Sequence, residues 1–108
     1  MRAQTGRILA ILTVAASIAG TAATPALADS RGQFATSCQR QMQMSAAQCG
    51  CVADHAMAEL DATEREYLML PATDYPSANA LLKKMSSGQI AAIDAFMRKV
   101  PDLCRASH

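Results

Sequence analysis

The sequence predicts an all-α fold, a small disulfide-stapled bundle of about four to five short helices that follows a cleaved signal peptide. Helix-favouring Ala, Leu, Met, Gln and Glu abound, whereas aromatic residues make up only 4% of the chain. No segment alternates apolar and polar residues in the manner of a strand. Four cysteines in so short a chain, an even number, indicate two disulfides.

The first 28 residues have the three regions of a secretory signal peptide. Arg2 and Arg7 precede an apolar run over residues 8–19, and the small residues before Asp29 form a cleavage site after Ala28. The run of 12 residues is shorter than the roughly 20 that span a bilayer, so we expect no stable membrane anchor after cleavage. The predicted mature protein is a single helical domain, residues 29–108, in the periplasm or outside the cell.

Charge and size limit what the mature chain can do. The full chain has 10 basic and 9 acidic residues; cleavage removes Arg2 and Arg7, which leaves 8 against 9 and a formal charge of −1. Nucleic acid is therefore not an expected partner, since such binding depends on clustered Lys and Arg. A domain this small gains a thin stability margin from its core alone, so we expect it to need disulfides or a partner.

Three helices are predicted in the first half of the mature chain. The first spans about residues 31–43, and the second begins at Ser45, which forms a capping box with Gln48. Gly50 weakens the second helix but permits the close approach that a disulfide between helices requires. A third helix is capped by Asp61 with Glu64 and ends before Pro71. The apolar stripes of the first two helices comprise Phe34, Ala35, Cys38 and Met42, and then Cys49, Val52, Ala53, Ala56, Met57 and Leu60.

Two further helices are predicted after a connector at residues 71–76, where two prolines disfavour helix. A short helix spans about residues 78–85. Ser86 and Gln89 then cap a last helix, which we expect to end at Pro101. The predicted apolar stripe of this helix comprises Ile90, Ile93, Met97 and Val100, with Phe96 beside it.

The cysteines allow three pairings, of which one is geometrically poor. A bond between Cys49 and Cys51 would close a ring across one residue where helical side chains diverge. An antiparallel hairpin folded about Met44 and Ser45 favours Cys38–Cys51, which leaves Cys49–Cys104. The reversed pairing, Cys38–Cys49 with Cys51–Cys104, is the next alternative.

Metal binding is the first chemical alternative to two disulfides. Thiolates of Cys49 and Cys51, the imidazole of His55 and the thioethers of Met42 and Met44 would suit copper, and the thiolates and imidazole would also suit zinc. The one-residue spacing between the thiols differs from the usual zinc motifs, and methionines commonly fill gaps between helices.

Thiol-disulfide exchange at Cys49 and Cys51 is the enzymatic alternative. The motif has one intervening residue rather than two and lacks the surrounding strands of a thioredoxin fold. The acidic residues are explained by helix capping and exposed helix faces, and no nucleophile, base and orienting group can be named together. We therefore expect no catalytic residues and no cofactor.

The pattern of Cys38 followed by Cys49-Gly50-Cys51 and the capped stretch Asp61–Glu64 resembles a group of small exported proteobacterial helical proteins. The similarity covers about residues 34–68. It implies export, helices and paired cysteines, and it carries over no catalytic residue. Together with the composition, it predicts an exported, non-enzymatic protein that binds another protein or shields apolar surfaces. The alternative function is a periplasmic copper- or zinc-binding protein.

Overall fold

A computed structural model describes residues 25–107, with side chains from residue 29 onward. Most of the predicted signal peptide lies outside the described residues. Within them the chain forms five helices and no strand, which confirms the all-α prediction. No helix in residues 25–107 has the combination of length and hydropathy needed to cross a bilayer. The helices are α1 (Pro25–Met42), α2 (Ala46–Glu59), α3 (Ala62–Met69), α4 (Tyr75–Lys84) and α5 (Ser87–Cys104).

Helix starts follow from local hydrogen bonding. In each predicted capping box the first side chain accepts from the backbone amide three residues later, and the later side chain accepts from the capping residue's own amide. These two bonds satisfy amides that have no partner inside the helix. The three predicted boxes are confirmed: Ser45 with Gln48, Asp61 with Glu64, and Ser86 with Gln89.

Helices α1 and α2 form an antiparallel hairpin around a tight turn. Gln43 has a φ of 55°, which is the left-handed conformation that commonly ends a helix. Across the hairpin, Nε of Arg31 lies 2.5 Å from Oδ1 of Asp54, and Nη2 of Arg31 donates to the carbonyl of Gly50 at 3.3 Å. The Arg31 hydrogen bond holds the pKa of Asp54 below its usual value. Helix α1 begins six residues before the predicted start, so it includes the predicted cleavage site at Ala28.

The core lies between α1, α2 and α5. The predicted α2 face is confirmed: five of its six residues are buried and Met57 is half-buried. The ring of Phe34 from α1 meets that of Phe96 from α5 edge to face, with 6.5 Å between the centroids. The predicted α5 stripe was partly wrong, because Phe96 takes the core position while Ile90 and Met97 remain exposed.

Two helix boundaries near prolines were predicted wrongly. Helix α4 begins at Tyr75, inside the expected connector, with Pro76 in its first turn. Proline is tolerated there because amides of the first turn have no hydrogen-bond partner within the helix. Helix α5 continues through Pro101 to Cys104 rather than ending at the proline. The additional turn places Cys104 in the core, opposite α2.

Candidate functional site

All four cysteines form disulfides, as predicted, but the favoured pairing was wrong. The bonds are Cys38–Cys49 and Cys51–Cys104, each with a Cα–Cα distance of 5.6 Å. They replace the favoured Cys38–Cys51 and Cys49–Cys104 pairs. No free cysteine remains.

The turn between α1 and α2 explains the corrected pairing. Its centre is Gln43 and Met44, one position earlier than assumed, so Cys38 lies opposite Cys49 rather than Cys51. Residues two apart on a helix point about 200° apart. Cys49 therefore faces α1 in the core, whereas half-buried Cys51 faces the end of α5.

A histidine lies beside the Cys51–Cys104 disulfide. His55 is one turn after Cys51 on α2, and a ring nitrogen of His55 and the sulfurs of Cys51 and Cys104 all lie within 4.8 Å of one another. Nδ1 of His55 lies 2.6 Å from Oε2 of Glu59, and Nζ of Lys99 lies 3.7 Å from Oε1 of the same carboxylate. The His55 hydrogen bond, and then the charge of Lys99, hold the pKa of Glu59 below its usual value. We call Cys51, His55, Glu59, Lys99 and Cys104 the histidine corner.

The structure brings together only part of the metal set expected from sequence. Cys51 and His55 belong to the histidine corner, whereas Cys49 is bonded to Cys38 in the core. Met44 is buried and Met42 is packed against the core. Cys104 is the residue that sequence reasoning did not place near the histidine. It is 53 positions from Cys51, and the expected helix end at Pro101 excluded it from α5.

The two closely spaced cysteines do not form a pair with each other. Cys49 and Cys51 each belong to a different disulfide, with sulfurs on different faces of α2. A thiol-exchange motif in which one of these two residues resolves a mixed disulfide on the other requires both thiols on one side. The observed arrangement therefore gives no support to exchange between Cys49 and Cys51.

An open groove of about 350 Å³ shares no residue with the histidine corner. Its walls come from α1, α3, the connector before α4, α4 itself and α5, with Val52 from α2, and they are mainly apolar. The deepest lining residues include Phe34 and Phe96 from the core. The remaining apolar lining comprises Cys38, Met42, Val52, Tyr67, Leu68, Leu70, Pro71, Ala72, Tyr75, Ala78 and Met97.

Three polar side chains of the groove, those of Ser37, Gln41 and Asp74, already have partners within the protein. Nε2 of Gln41 donates to the Ser37 hydroxyl at 2.7 Å and to the Met69 carbonyl at 3.2 Å, and the Ser37 hydroxyl donates to that carbonyl at 3.4 Å. The carboxylate of Asp74 accepts from the amide of Ser77 and caps α4. The groove thus offers a ligand mainly apolar contact.

The rim of the groove carries large exposed side chains. Tyr75 is 71% exposed and Met97 is 40% exposed. Tyrosine and methionine are enriched at protein interfaces, and methionine adapts its shape to different partners. The rim therefore extends the apolar surface beyond the groove. Leu103, also exposed, is on α5 but does not line the groove.

Comparison of the chain with protein-family models, curated proteins and solved structures gave no match.

Proposed function

We propose that the mature protein is an exported, non-enzymatic, periplasmic helical protein that binds an apolar segment of another protein in the groove between α1, α3, α4 and α5. The observation that carries the proposal is this groove, with its apolar walls and its exposed rim. A shielding or chaperone-like role follows if the bound segment is exposed in a partner that is not fully folded.

The size of the groove suits side chains of a protein segment. A volume of about 350 Å³ is near the lower end of the range for ligand pockets. Such a groove accommodates a few apolar side chains, and the rest of the segment lies across Tyr75 and Met97 on the rim. Because Ser37 and Gln41 already bond to Met69, binding would leave few polar groups without a partner.

The disulfides support the same interpretation because they hold the walls in place. Cys38 lines the groove and its bond fixes α1 against α2, while Cys51–Cys104 fixes the end of α5 against α2. A wall that is already ordered loses little conformational entropy on binding, which favours affinity. The metal-binding alternative through Cys49 lacks support, since that sulfur is bonded to Cys38 in the core.

The test compares two glutamate substitutions on one helix. Met97→Glu places a charge on the groove rim, and Leu103→Glu places one on exposed α5 surface outside the groove. The probe is fluorescein-labelled, reduced and carboxymethylated lactalbumin, an unfolded protein with exposed apolar segments, and binding is followed by fluorescence anisotropy. We expect Met97→Glu to weaken binding about tenfold or more, since loss of a central interface side chain costs over 1 kcal/mol.

The control variant, Leu103→Glu, should bind the probe with an affinity within about twofold of that of the unsubstituted protein, because exposed residues outside an interface contribute little to binding. Failure of the unsubstituted protein to bind, or equal weakening by both substitutions, contradicts the proposal. Native mass spectrometry of the purified protein adds a second criterion. A retained apolar small molecule, released by Met97→Glu, would assign the groove to a small ligand instead.

A further inference from the structure

We propose that reduction of the Cys51–Cys104 disulfide converts the histidine corner into a site for a thiophilic metal ion of the Zn²⁺ class, with the two sulfurs and Nε2 of His55 as ligands. The oxidised form keeps the same two sulfurs bonded to each other. The site is distinct from the groove and does not depend on the function proposed for it.

The three ligand atoms are already close to the arrangement that such an ion requires. These residues come from one turn of α2 and the end of α5, and the two sulfurs and a ring nitrogen of His55 lie within 4.8 Å of one another. Zinc binds sulfur at about 2.3 Å and nitrogen at about 2.0–2.1 Å, so ligand atoms in a tetrahedral site are roughly 3.5–3.8 Å apart. Side-chain rotation after cleavage of the S–S bond is enough to reach that spacing. The fourth position would be left to water or an outside ligand.

The surroundings of His55 match those of a metal-binding histidine. Because the Glu59 carboxylate only accepts hydrogen bonds, the ring donates to it from Nδ1 at 2.6 Å. Nε2 is then the nitrogen with a free lone pair. A carboxylate that holds the other ring nitrogen orients a ligating histidine and strengthens its binding. Nζ of Lys99 lies 3.7 Å from the second oxygen of Glu59, and this ion pair orients the carboxylate.

The other disulfide has no comparable surroundings. Cys38 and Cys49 are both buried, whereas Cys51 is half-buried at the surface. Attack on a disulfide requires access to a sulfur atom. Among the residues with described side chains, Cys51, His55 and Cys104 are also the one group of three cysteine, histidine or acidic residues with metal-binding spacing. Reduction and metal binding are therefore both expected at Cys51–Cys104.

The redox step uses a dithiol as the reductant. The two sulfurs of the dithiol form a new disulfide and supply two electrons and two protons, and the Cys51–Cys104 bond breaks to give two thiols. When the ion binds, the two thiols release their protons to solvent and coordinate as thiolates. A disulfide oxidant that accepts two electrons from the thiolates and two protons from solvent would re-form the Cys51–Cys104 bond, itself becoming a dithiol, and would expel the ion.

Cobalt provides the test because Co²⁺ occupies zinc sites and reports thiolate ligands by its absorption. The purified protein is reduced with dithiothreitol, the reductant is removed under anaerobic conditions, and the protein is then titrated with Co²⁺. We expect thiolate-to-cobalt absorption in the near ultraviolet and intense visible bands at one ion per chain, both removed by Zn²⁺. The oxidised protein should show neither.

Variants identify the ligands. Cys38→Ser with Cys49→Ser should retain the cobalt spectrum, whereas Cys51→Ser with Cys104→Ser should lose it. Glu59→Gln should weaken Zn²⁺ binding by about 10- to 100-fold, the range found for loss of a group that supports a ligand, and His55→Ala, which removes a ligand, should weaken it by at least as much. If the first double variant does not fold, alkylation of the reduced parent protein gives the same information. Bound Zn²⁺ should then protect Cys51 and Cys104 more than Cys38 and Cys49.

Absence of cobalt bands in the reduced protein would overturn the proposal. Unchanged Zn²⁺ affinity in His55→Ala, or equal protection of all four cysteines, would overturn it as well. None of these results bears on binding of a protein segment in the groove, which is measured on the oxidised protein.

Discussion

Gly50 shows how a single residue can have a different structural role from the one its sequence suggests. We expected it to permit close approach of two helix backbones next to the disulfides. A methyl group added there would instead meet the Nη2 atom of the flexible Arg31 side chain at 3.4 Å, an ordinary contact. The packing of α2 therefore does not require glycine at this position.

We predict that Gly50→Ala stabilises the protein by up to about 1 kcal/mol. Alanine has a lower conformational entropy cost in a helix interior, and nothing rigid opposes the added methyl group. Urea unfolding of the oxidised protein measures the change. Gly32→Ala in α1 is the matched control, because a methyl group there meets no atom within 4 Å. A loss of stability in Gly50→Ala beside a gain in Gly32→Ala would show that the Arg31 contact outweighs helix propensity.

At the scale of elements, the capping glutamines also connect helices. Gln48 accepts from the Ser45 amide through its oxygen and donates from its nitrogen to the carbonyl of Arg105 at 2.9 Å. Gln89 accepts from the Ser86 amide in the same way and donates to Oδ2 of Asp61 at 2.9 Å. A glutamate would fulfil the first role but not the second, because it has no amide hydrogens.

The Gln89 contact makes the stability of the protein depend on pH. The hydrogen bond from Gln89, and then the amide of Glu64, hold the pKa of Asp61 below its usual value. The carboxylate form is thus favoured in the folded state. Its contribution to stability is present above the unfolded pKa, about 4, and is lost as the pH falls through the lower folded value.

We predict that Gln89→Glu raises the pKa of Asp61, because a donated hydrogen bond is replaced by a second carboxylate. Carboxyl-carbon NMR during an acid titration measures the value directly. Gln48→Glu is the matched control: it changes a capping glutamine of the same type, but that amide bonds to the Arg105 carbonyl and not to Asp61. Equal Asp61 pKa values in both variants would show that Gln89 does not control this group.

The three helix starts that carry a capping box could be predicted from sequence, whereas the start of α4 and the end of α5, both near prolines, could not. A capping box lies within four consecutive residues, so the sequence of Ser86 to Gln89 contains all the information that is needed. Whether a helix continues past Pro101 depends on tertiary contacts of the next turn. Here those contacts are the burial of Cys104 and its bond to Cys51.

At the scale of the whole molecule, the disulfides supply much of the stability expected for so small a domain. The linked cysteines are 11 and 53 positions apart. The chain-entropy model gives about 3 and about 4 kcal/mol for loops of these lengths. A mature chain of residues 29–108 is expected to have a total unfolding free energy of about 4–12 kcal/mol. Either bond is therefore a large fraction of the total.

The sequence predicted that the cysteines would pair, but a shift of one residue in the hairpin decides between the two pairings. That shift depends on Gln43 adopting a left-handed conformation, for which glycine would be the usual signal. The groove and the histidine corner were also beyond prediction from periodicity. Each is formed by residues from several helices, such as His55 and Cys104, whose proximity follows only from packing.

Disulfide mapping of the protein from a periplasmic fraction tests most directly whether the two bonds fix the helices as described. Because only Gly50 separates two of the cysteines, partial reduction and alkylation must precede digestion. We predict an intact mass that corresponds to a chain beginning at Asp29. On partial reduction, Cys51 and Cys104 should be alkylated first, while the Cys38–Cys49 bond remains. Free thiols before reduction, or a Cys38–Cys51 linkage, would contradict this account.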